Sequence, residues 1–192
     1  MRVEILRHLQ RHLGNAHVQR LMESVPYQVQ RYPVGAPRTA DCQTVIQWLD
    51  AHSPYRPMWA KTNVTFRWTG AFRITGSAPD FQVGIVRPRV TVSKPVDMPR
   101  WSPRAPAMAR AWTSMTSDLR AHEAQHEAIA DRWRGILLQR LTALSLTVNA
   151  ATRDAALAAA PAGVDAEWTA WLAEHQTDQD AIDPFTALLN CP

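Results

Sequence analysis

The chain is poor in cysteine and in long apolar runs, and each scarcity argues against a class of protein. It holds two cysteines in 192 residues. Neither lies in a C-x-x-C pair, which argues against a zinc site ligated by cysteine. No apolar run approaches the ~20 residues that cross a bilayer, so we expect no membrane span. Residues 1–8 lack an apolar central run and a small-residue cleavage site, so we expect no Sec signal peptide.

The two cysteines, Cys42 and Cys191, lie near opposite ends of the predicted domain. One interpretation is a pair of buried thiols. The other is a disulfide that ties the C-terminal tail to an early helix, which would suit an oxidising destination. The sequence leaves both interpretations open.

The composition is that of an ordinary globular domain with a mildly basic surface. The chain is 46% hydrophobic and 20% charged, with a formal net charge of +4, and its length fits one domain with an appended arm. A basic nucleic-acid-binding effector would need a continuous arginine stripe. The arginines are instead scattered and not interleaved with aromatic residues, so we expect no nucleic-acid partner.

Residues 1–27 are predicted to form an N-terminal amphipathic arm, separate from a domain at 28–192. Apolar residues at helical spacing indicate two short helices, one before and one after Gly14. The run from Leu9 to Met22 resembles the L-Q-R-x-L-G-N-x-x-V-Q-R-L segment of bacterial polymorphic toxins and of cargo proteins of contractile injection systems. That resemblance implies a secreted or exported protein, with an injection or toxin-export machinery as a partner. The alternative is an arm that packs on the domain.

From residue 28 the pattern predicts an α+β fold. The run Val29 to Val34 is expected to form an edge strand, because Pro33 cannot donate a ladder hydrogen bond. A helix capped by Thr39 or Asp41 should follow. Alternating runs then predict an antiparallel sheet with one solvated face; they cover residues 63–68, 71–75, 81–86 and 89–93. Four prolines make residues 95–106 a stiff connector.

A proline-free stretch of more than fifty residues follows Pro106 and predicts one long helix or two in tandem. Its apolar residues recur at steps of three and four, which defines one buried stripe. The members of this stripe are Met108, Trp112, Met115, Leu119, Ile129, Trp133, Leu137, Leu141 and Leu144. His122 and His126 fall on the same stripe, so both histidines are expected to face the interior.

The segment His122-Glu123-Ala124-Gln125-His126 has the H-E-x-x-H arrangement of zinc hydrolases. Histidines four apart lie one above the other on a helix, where both imidazoles can reach one zinc ion. Without a shared partner, two buried imidazoles would leave polar atoms unpaired at ~1–3 kcal/mol each. Glu123 flanks them and is placed to take a proton from water bound to that zinc.

A catalytic zinc needs a third protein ligand. The metzincin pattern is excluded, because Arg132 stands where its third histidine would lie. A last helix is expected to begin near Asp165, with an apolar face that His175 continues. His175 is therefore the predicted third ligand, and Asp178 and Asp183 are alternative carboxylate ligands. Glu127 is expected to support the site or to be solvated, and not to bind metal.

The order of these features resembles a bacterial family of predicted secreted zinc-dependent proteases that is classed as a domain of unknown function. The matching elements span residues 30 to about 187. They are Tyr32-Pro33-Val34, Val64-x-x-x-Trp68, Met98-Pro99-Arg100-Trp101, Trp112, Leu119 and the H-E-x-x-H segment. The resemblance implies a zincin-like domain with a small antiparallel sheet packed on long helices. It also implies Zn2+ as cofactor and a peptide or protein as substrate.

The chain departs from that family at its C-terminal end. The family closes on a Tyr-Asp-x-x-Thr-x-His-Gly run, whereas this chain keeps Asp183 and Thr186 but has Leu188 and Leu189 in place of His and Gly. If the family histidine binds zinc, His175 or Asp183 must replace it here. The predicted function is a zinc-dependent metallopeptidase, an exported effector or toxin-associated protease. The alternative is a degenerate, non-catalytic interaction or cargo module.

Overall fold

The computed structural model describes residues 29–183 and 185–191, so the predicted arm at 1–27 lies outside the described residues. In the described part the chain is mixed α/β, with two small sheets and three helices. The strands are β1 (Val29–Pro33), β2 (Lys61–Thr62), β3 (Thr65–Ser77), β4 (Asp80–Ser93), β5 (Val96–Arg100) and β6 (Leu146–Asn149). The helices are α1 (Cys42–His52), α2 (Pro106–Ala143) and α3 (Arg153–Asp180). Within the described residues, no helix combines the length and apolar character needed to cross a membrane.

The first sheet has the strand order β1-β5-β2, and β1 is the edge strand that Pro33 predicts. β1 runs parallel to β5, while β2 runs antiparallel to it. The edge position of β1 was predicted, whereas its parallel pairing with β5 was not. β5 lies inside the proline-rich connector, where no strand was expected, because the buried alternation of Val96 and Met98 outweighs the flanking prolines.

The second sheet has the order β3-β4-β6 and is antiparallel throughout, as predicted. Four runs were expected here, but they form two long strands that continue through an irregularity between Thr69 and Ala71. Gly70 lies in this irregularity, and a Cβ atom there would sit 2.5 Å from Cγ2 of Ile85. A glycine in a strand often marks such a bulge, so it does not end the strand.

Helix α2 is one continuous helix that serves two hydrophobic cores. Its first half packs against α1 and the first sheet through residues that include Met115 and Leu119. Its second half packs against the second sheet through Trp133 and Leu137. The H-E-x-x-H segment lies at the junction between the two cores, which explains why a polar segment is buried there.

Helix α3 begins twelve residues before the expected start near Asp165. Thr152 is its N-cap and accepts a hydrogen bond from the backbone N–H of Ala155. The helix then continues through Pro161 and Gly163. Ala156 and Ala160 are fully buried against the second sheet, and this packing outweighs the low helix propensity of proline and glycine.

A disulfide joins Cys42 and Cys191 across 149 residues, with their Cα atoms 5.5 Å apart. The structure therefore contains the disulfide and not a pair of buried free thiols. Cys42 is the first residue of α1, whose N-cap is Asp41. Leu189 is buried in the same core, so the disulfide and this side chain together hold the C-terminal segment against α1.

Candidate metal centre

His122 and His126 meet on the buried face of α2. Their Nε2 atoms are 3.1 Å apart, and the rings lie nearly perpendicular, with centroids 4.7 Å apart. Both side chains are buried, at 7% and 8% exposure. The predicted stripe position of the two histidines is confirmed, and their ligand atoms converge on one point.

Asp183 is the third member of this group. Its Oδ1 atom lies 3.0 Å from Nε2 of His126 and 3.8 Å from Nε2 of His122. The residue follows the end of α3, where its backbone N–H donates to the carbonyl of Asp180. The three residues can hold a metal ion, because each offers one ligand atom and all three atoms lie within 4.8 Å of one another.

Glu123 is buried beside the pair, at 2% exposure. Its Oε2 atom accepts a 2.6 Å hydrogen bond from the hydroxyl of Thr62 on β2. That bond holds the carboxylate at the edge of the first sheet. Thr62 was missed in the sequence, because a strand of two residues is too short to carry a periodic signal.

Gln179, in the last turn of α3, orients His126. The Nδ1–H of His126 donates to Oε1 of Gln179, and the amide nitrogen of Gln179 donates to the backbone carbonyl of His126 at 3.2 Å. A neutral imidazole that donates from Nδ1 keeps a free lone pair on Nε2. Gln179 therefore selects the tautomer that presents Nε2 to a metal.

His175 is buried, as its stripe position predicts, but the structure does not bring it into the metal group. Its Nε2 atom lies 2.8 Å from the amide nitrogen of Gln179, which donates to it. Its ring packs edge-on against Phe66, with centroids 4.9 Å apart. Gln179 therefore connects His175 to His126. Burial lowers the pKa of His175 below its ordinary value.

The other candidate acids are engaged elsewhere. Asp178 accepts hydrogen bonds from Arg132 at 2.7 Å and from the indole of Trp133 at 2.6 Å, so it joins α2 to α3. Glu127 is buried and forms a 2.8 Å ion pair with Arg120. Of the alternatives for the third ligand, Asp183 alone lies with the two histidines.

Phe185 covers His122. The two rings stack with centroids 4.2 Å apart and an angle of 7° between their planes. Burial lowers the pKa of His122, and the neighbouring His126 lowers it further, while Glu123 and Asp183 oppose the shift. A lowered pKa favours the neutral imidazole, which is the form that binds metal. No sequence pattern marked Phe185, because it lies in an irregular segment.

Two cavities open on either side of this centre. The larger, of about 510 Å³, lies between β2 and α3 and includes His126 and His175 in its lining. The smaller, of about 310 Å³, includes His122 and Phe185. Glu123 and Asp183 line both cavities, so the centre lies where the two meet.

Comparison with known proteins gives one match. A family model described as a bacterial protein of unknown function (DUF922) matches residues 29–187, a range that includes both histidines, Glu123 and Asp183. No curated protein and no solved structure matches the chain. The match covers most of the chain, and the protease activity that the sequence resemblance implies stays a prediction.

Proposed function

The chain belongs to the bacterial DUF922 family, and we propose that it is a zinc-dependent peptidase with His122, His126 and Asp183 as metal ligands. The observation that carries this proposal is the convergence of two Nε2 atoms and one carboxylate oxygen beside a buried glutamate. Two imidazoles and one carboxylate form a ligand set of catalytic zinc, which leaves a fourth position open.

The distances suit zinc. In a tetrahedral site with bonds of ~2.0–2.2 Å, two ligand atoms lie about 3.3 Å apart. The three separations are 3.0, 3.1 and 3.8 Å, so a small shift of Asp183 would complete the tetrahedral set. Gln179 already holds His126 in the required tautomer. Asp183 therefore replaces His175 as the proposed third ligand.

The metal and Glu123 would have different roles in the proposed hydrolysis. When bound, zinc would polarise both a water molecule and the carbonyl of the scissile peptide bond. Glu123 is the general base that takes the proton from the attacking water, and it then transfers this proton to the leaving amine. The hydroxyl of Thr62 keeps one carboxylate oxygen of Glu123 fixed, and the other oxygen would accept the proton.

The larger cavity is the proposed substrate cleft. The strand order places β2 at the edge of the first sheet, and Lys61 and Thr62 of this strand line the cleft. An extended peptide can add to such an edge through backbone hydrogen bonds, which are independent of its sequence. This arrangement supports a zincin-like organisation, in which a sheet edge and an H-E-x-x-H helix lie on opposite sides of the substrate.

The disulfide supports an exported protein. Structural disulfides form and persist in oxidising compartments, and Cys42 and Cys191 are joined here. We propose that the domain acts outside the producing cytosol, with residues 1–27 serving delivery. Protein recovered from the culture medium should contain no reactive thiol, whereas recovery only from the cytosol with free thiols would contradict export.

The proposed function is tested by metal analysis and peptidase assay of four proteins. The unmodified chain should bind about one zinc and hydrolyse an unfolded protein substrate. Glu123→Gln should keep zinc and lose activity by 100-fold or more, on the order of a general base's contribution. Asp183→Ala should lose both zinc and activity. Asp180→Ala, at an exposed acid in the last turn of α3 and three residues before Asp183, is the matched control and should change neither.

Two outcomes would contradict the proposal. Full zinc occupancy in Asp183→Ala would remove Asp183 from the ligand set and return the question to His175, which His175→Ala would then decide. Zinc bound at the expected stoichiometry without hydrolysis of any polypeptide would favour the non-catalytic interaction module.

A further inference from the structure

The smaller cavity has a different character from the substrate cleft. Its lining combines α2, the segment after α1 and the C-terminal segment. Most of its lining residues are apolar, and they include Pro57, Met58, Trp59, Leu119 and Ala187. Its volume of about 310 Å³ lies at the lower limit of ligand pockets and has room for one large side chain, but not for a length of polypeptide.

The position of this cavity relates it to the reaction. Glu123 and His122 both line it, and Glu123 also lines the larger cleft. A peptide that lies along β2 with its scissile bond at Glu123 would bring a neighbouring side chain next to the smaller cavity.

We infer that the smaller cavity is a specificity pocket that takes one apolar side chain, of the size of leucine or phenylalanine, from the substrate residue next to the scissile bond. This inference rests on the proposed function. The acids in the lining do not favour a basic side chain instead. Glu123 and Asp183 are engaged at the metal centre, and Asp50 accepts a hydrogen bond from the indole of Trp59 at 2.9 Å.

Cleavage specificity tests the inference. The zinc-loaded protein is given a set of peptides that differ only at the residues flanking the scissile bond, with Phe, Leu, Ala, Lys or Asp in turn. We expect kcat/KM to be at least tenfold higher with Phe or Leu than with Ala, since each buried methylene contributes about 10- to 200-fold in such pockets. Equal rates for all five peptides, or a preference for the Lys peptide, would contradict the assignment of the cavity as an apolar specificity pocket.

Variants that fill the pocket sharpen the test. Ala187→Phe places a ring in the cavity and should lower kcat/KM at least tenfold more for the Phe peptide than for the Ala peptide, on the scale of a lost side-chain contact. Thr186→Phe, at an exposed lining position, gives the same reading if Ala187→Phe does not fold. Leu188→Phe is the matched control, because Leu188 is 64% exposed and lies outside the lining.

A binding measurement on zinc-free protein separates failure of the pocket from failure of the proposed function. N-acetyl-phenylalaninamide should shift the NMR signal of the Met58 methyl group at millimolar concentration, and Ala187→Phe should abolish that shift. N-acetyl-aspartamide should produce none. If N-acetyl-phenylalaninamide binds but no peptide is cleaved, the pocket is supported and the peptidase function is contradicted. If peptides are cleaved without an apolar preference and the amide does not bind, the pocket alone is contradicted.

Discussion

His126 and Gln179 are separated by 53 residues in sequence, yet they form two hydrogen bonds with each other. The imidazole donates from Nδ1 to the side-chain oxygen, and the amide nitrogen donates to the backbone carbonyl of His126. The same amide nitrogen donates to His175. One buried amide thereby connects the two long helices at the candidate metal centre and fixes which ring nitrogen of His126 keeps a free lone pair.

The first prediction concerns that amide. Gln179→Leu should weaken zinc binding about 10- to 100-fold, the usual effect of removing a group that orients a ligand. Gln176→Leu, one turn earlier and exposed, should leave zinc affinity unchanged. Competition against a zinc chelator measures both. An unchanged affinity in Gln179→Leu, with the fold retained by circular dichroism, would show that His126 is oriented by other contacts.

The second prediction concerns the disulfide. Changing Cys42 and Cys191 together to serine should lower the free energy of unfolding by about 2–5 kcal/mol, because the unfolded chain is no longer constrained across a long loop. Urea titration of oxidised and variant protein measures the difference. Dithiothreitol should reproduce the loss in the unmodified protein and have no effect on the double variant. A reductant effect on the double variant would show that the loss has another origin.

The third prediction concerns acid stability. Burial lowers the pKa of His175 below its ordinary value of 6.5, so below pH 6.5 the unfolded chain binds more protons than the folded chain. The stability that neutral His175 contributes is therefore complete above pH 6.5 and is lost as the pH falls through its lowered pKa. The zinc-free protein should show this loss in urea titrations between pH 8 and pH 5.

His175→Leu is the variant that tests this assignment. It should unfold with a shallower pH dependence than the unmodified protein across the same range, because one buried titrating group is gone. His52→Leu is the control, since His52 is exposed. An identical pH dependence in His175→Leu and the unmodified protein would exclude His175 as the cause.

The fourth prediction uses two glycines. Gly70→Ala should destabilise the protein by about 1–3 kcal/mol, because the new Cβ would overlap Ile85 and force the strands apart. Gly135→Ala in helix α2 has nothing within 4 Å of its new Cβ and should stabilise by about 0.5–1 kcal/mol through helix propensity. Thermal unfolding of the two variants should shift in opposite directions. A shift in the same direction would contradict the packing at Gly70.

Much of the local structure follows from the sequence. The stripe from Met108 to Leu141 predicts α2 and the buried positions of both histidines, and Asp41 marks the start of α1. Strand β5 and the early start of α3 were missed, because their local signals, prolines and a glycine, oppose the structure. Burial of Val96 and Ala160 against other elements outweighs those signals, and such burial is not visible in a local window.

The candidate metal centre likewise depends partly on the sequence and partly on the tertiary structure. The sequence by itself brings His122, Glu123 and His126 together, because a helix places residues i, i+1 and i+4 in a fixed relation whatever surrounds them. Only the tertiary structure decides the third member. Asp183 and His175 both belong to the last helix or its end, and the packing of α3 on α2 places the acid at the two Nε2 atoms and the histidine behind Gln179. Which of these two residues reaches the histidines depends on how α3 is positioned along α2. Residue spacing within one segment of the chain does not show that position.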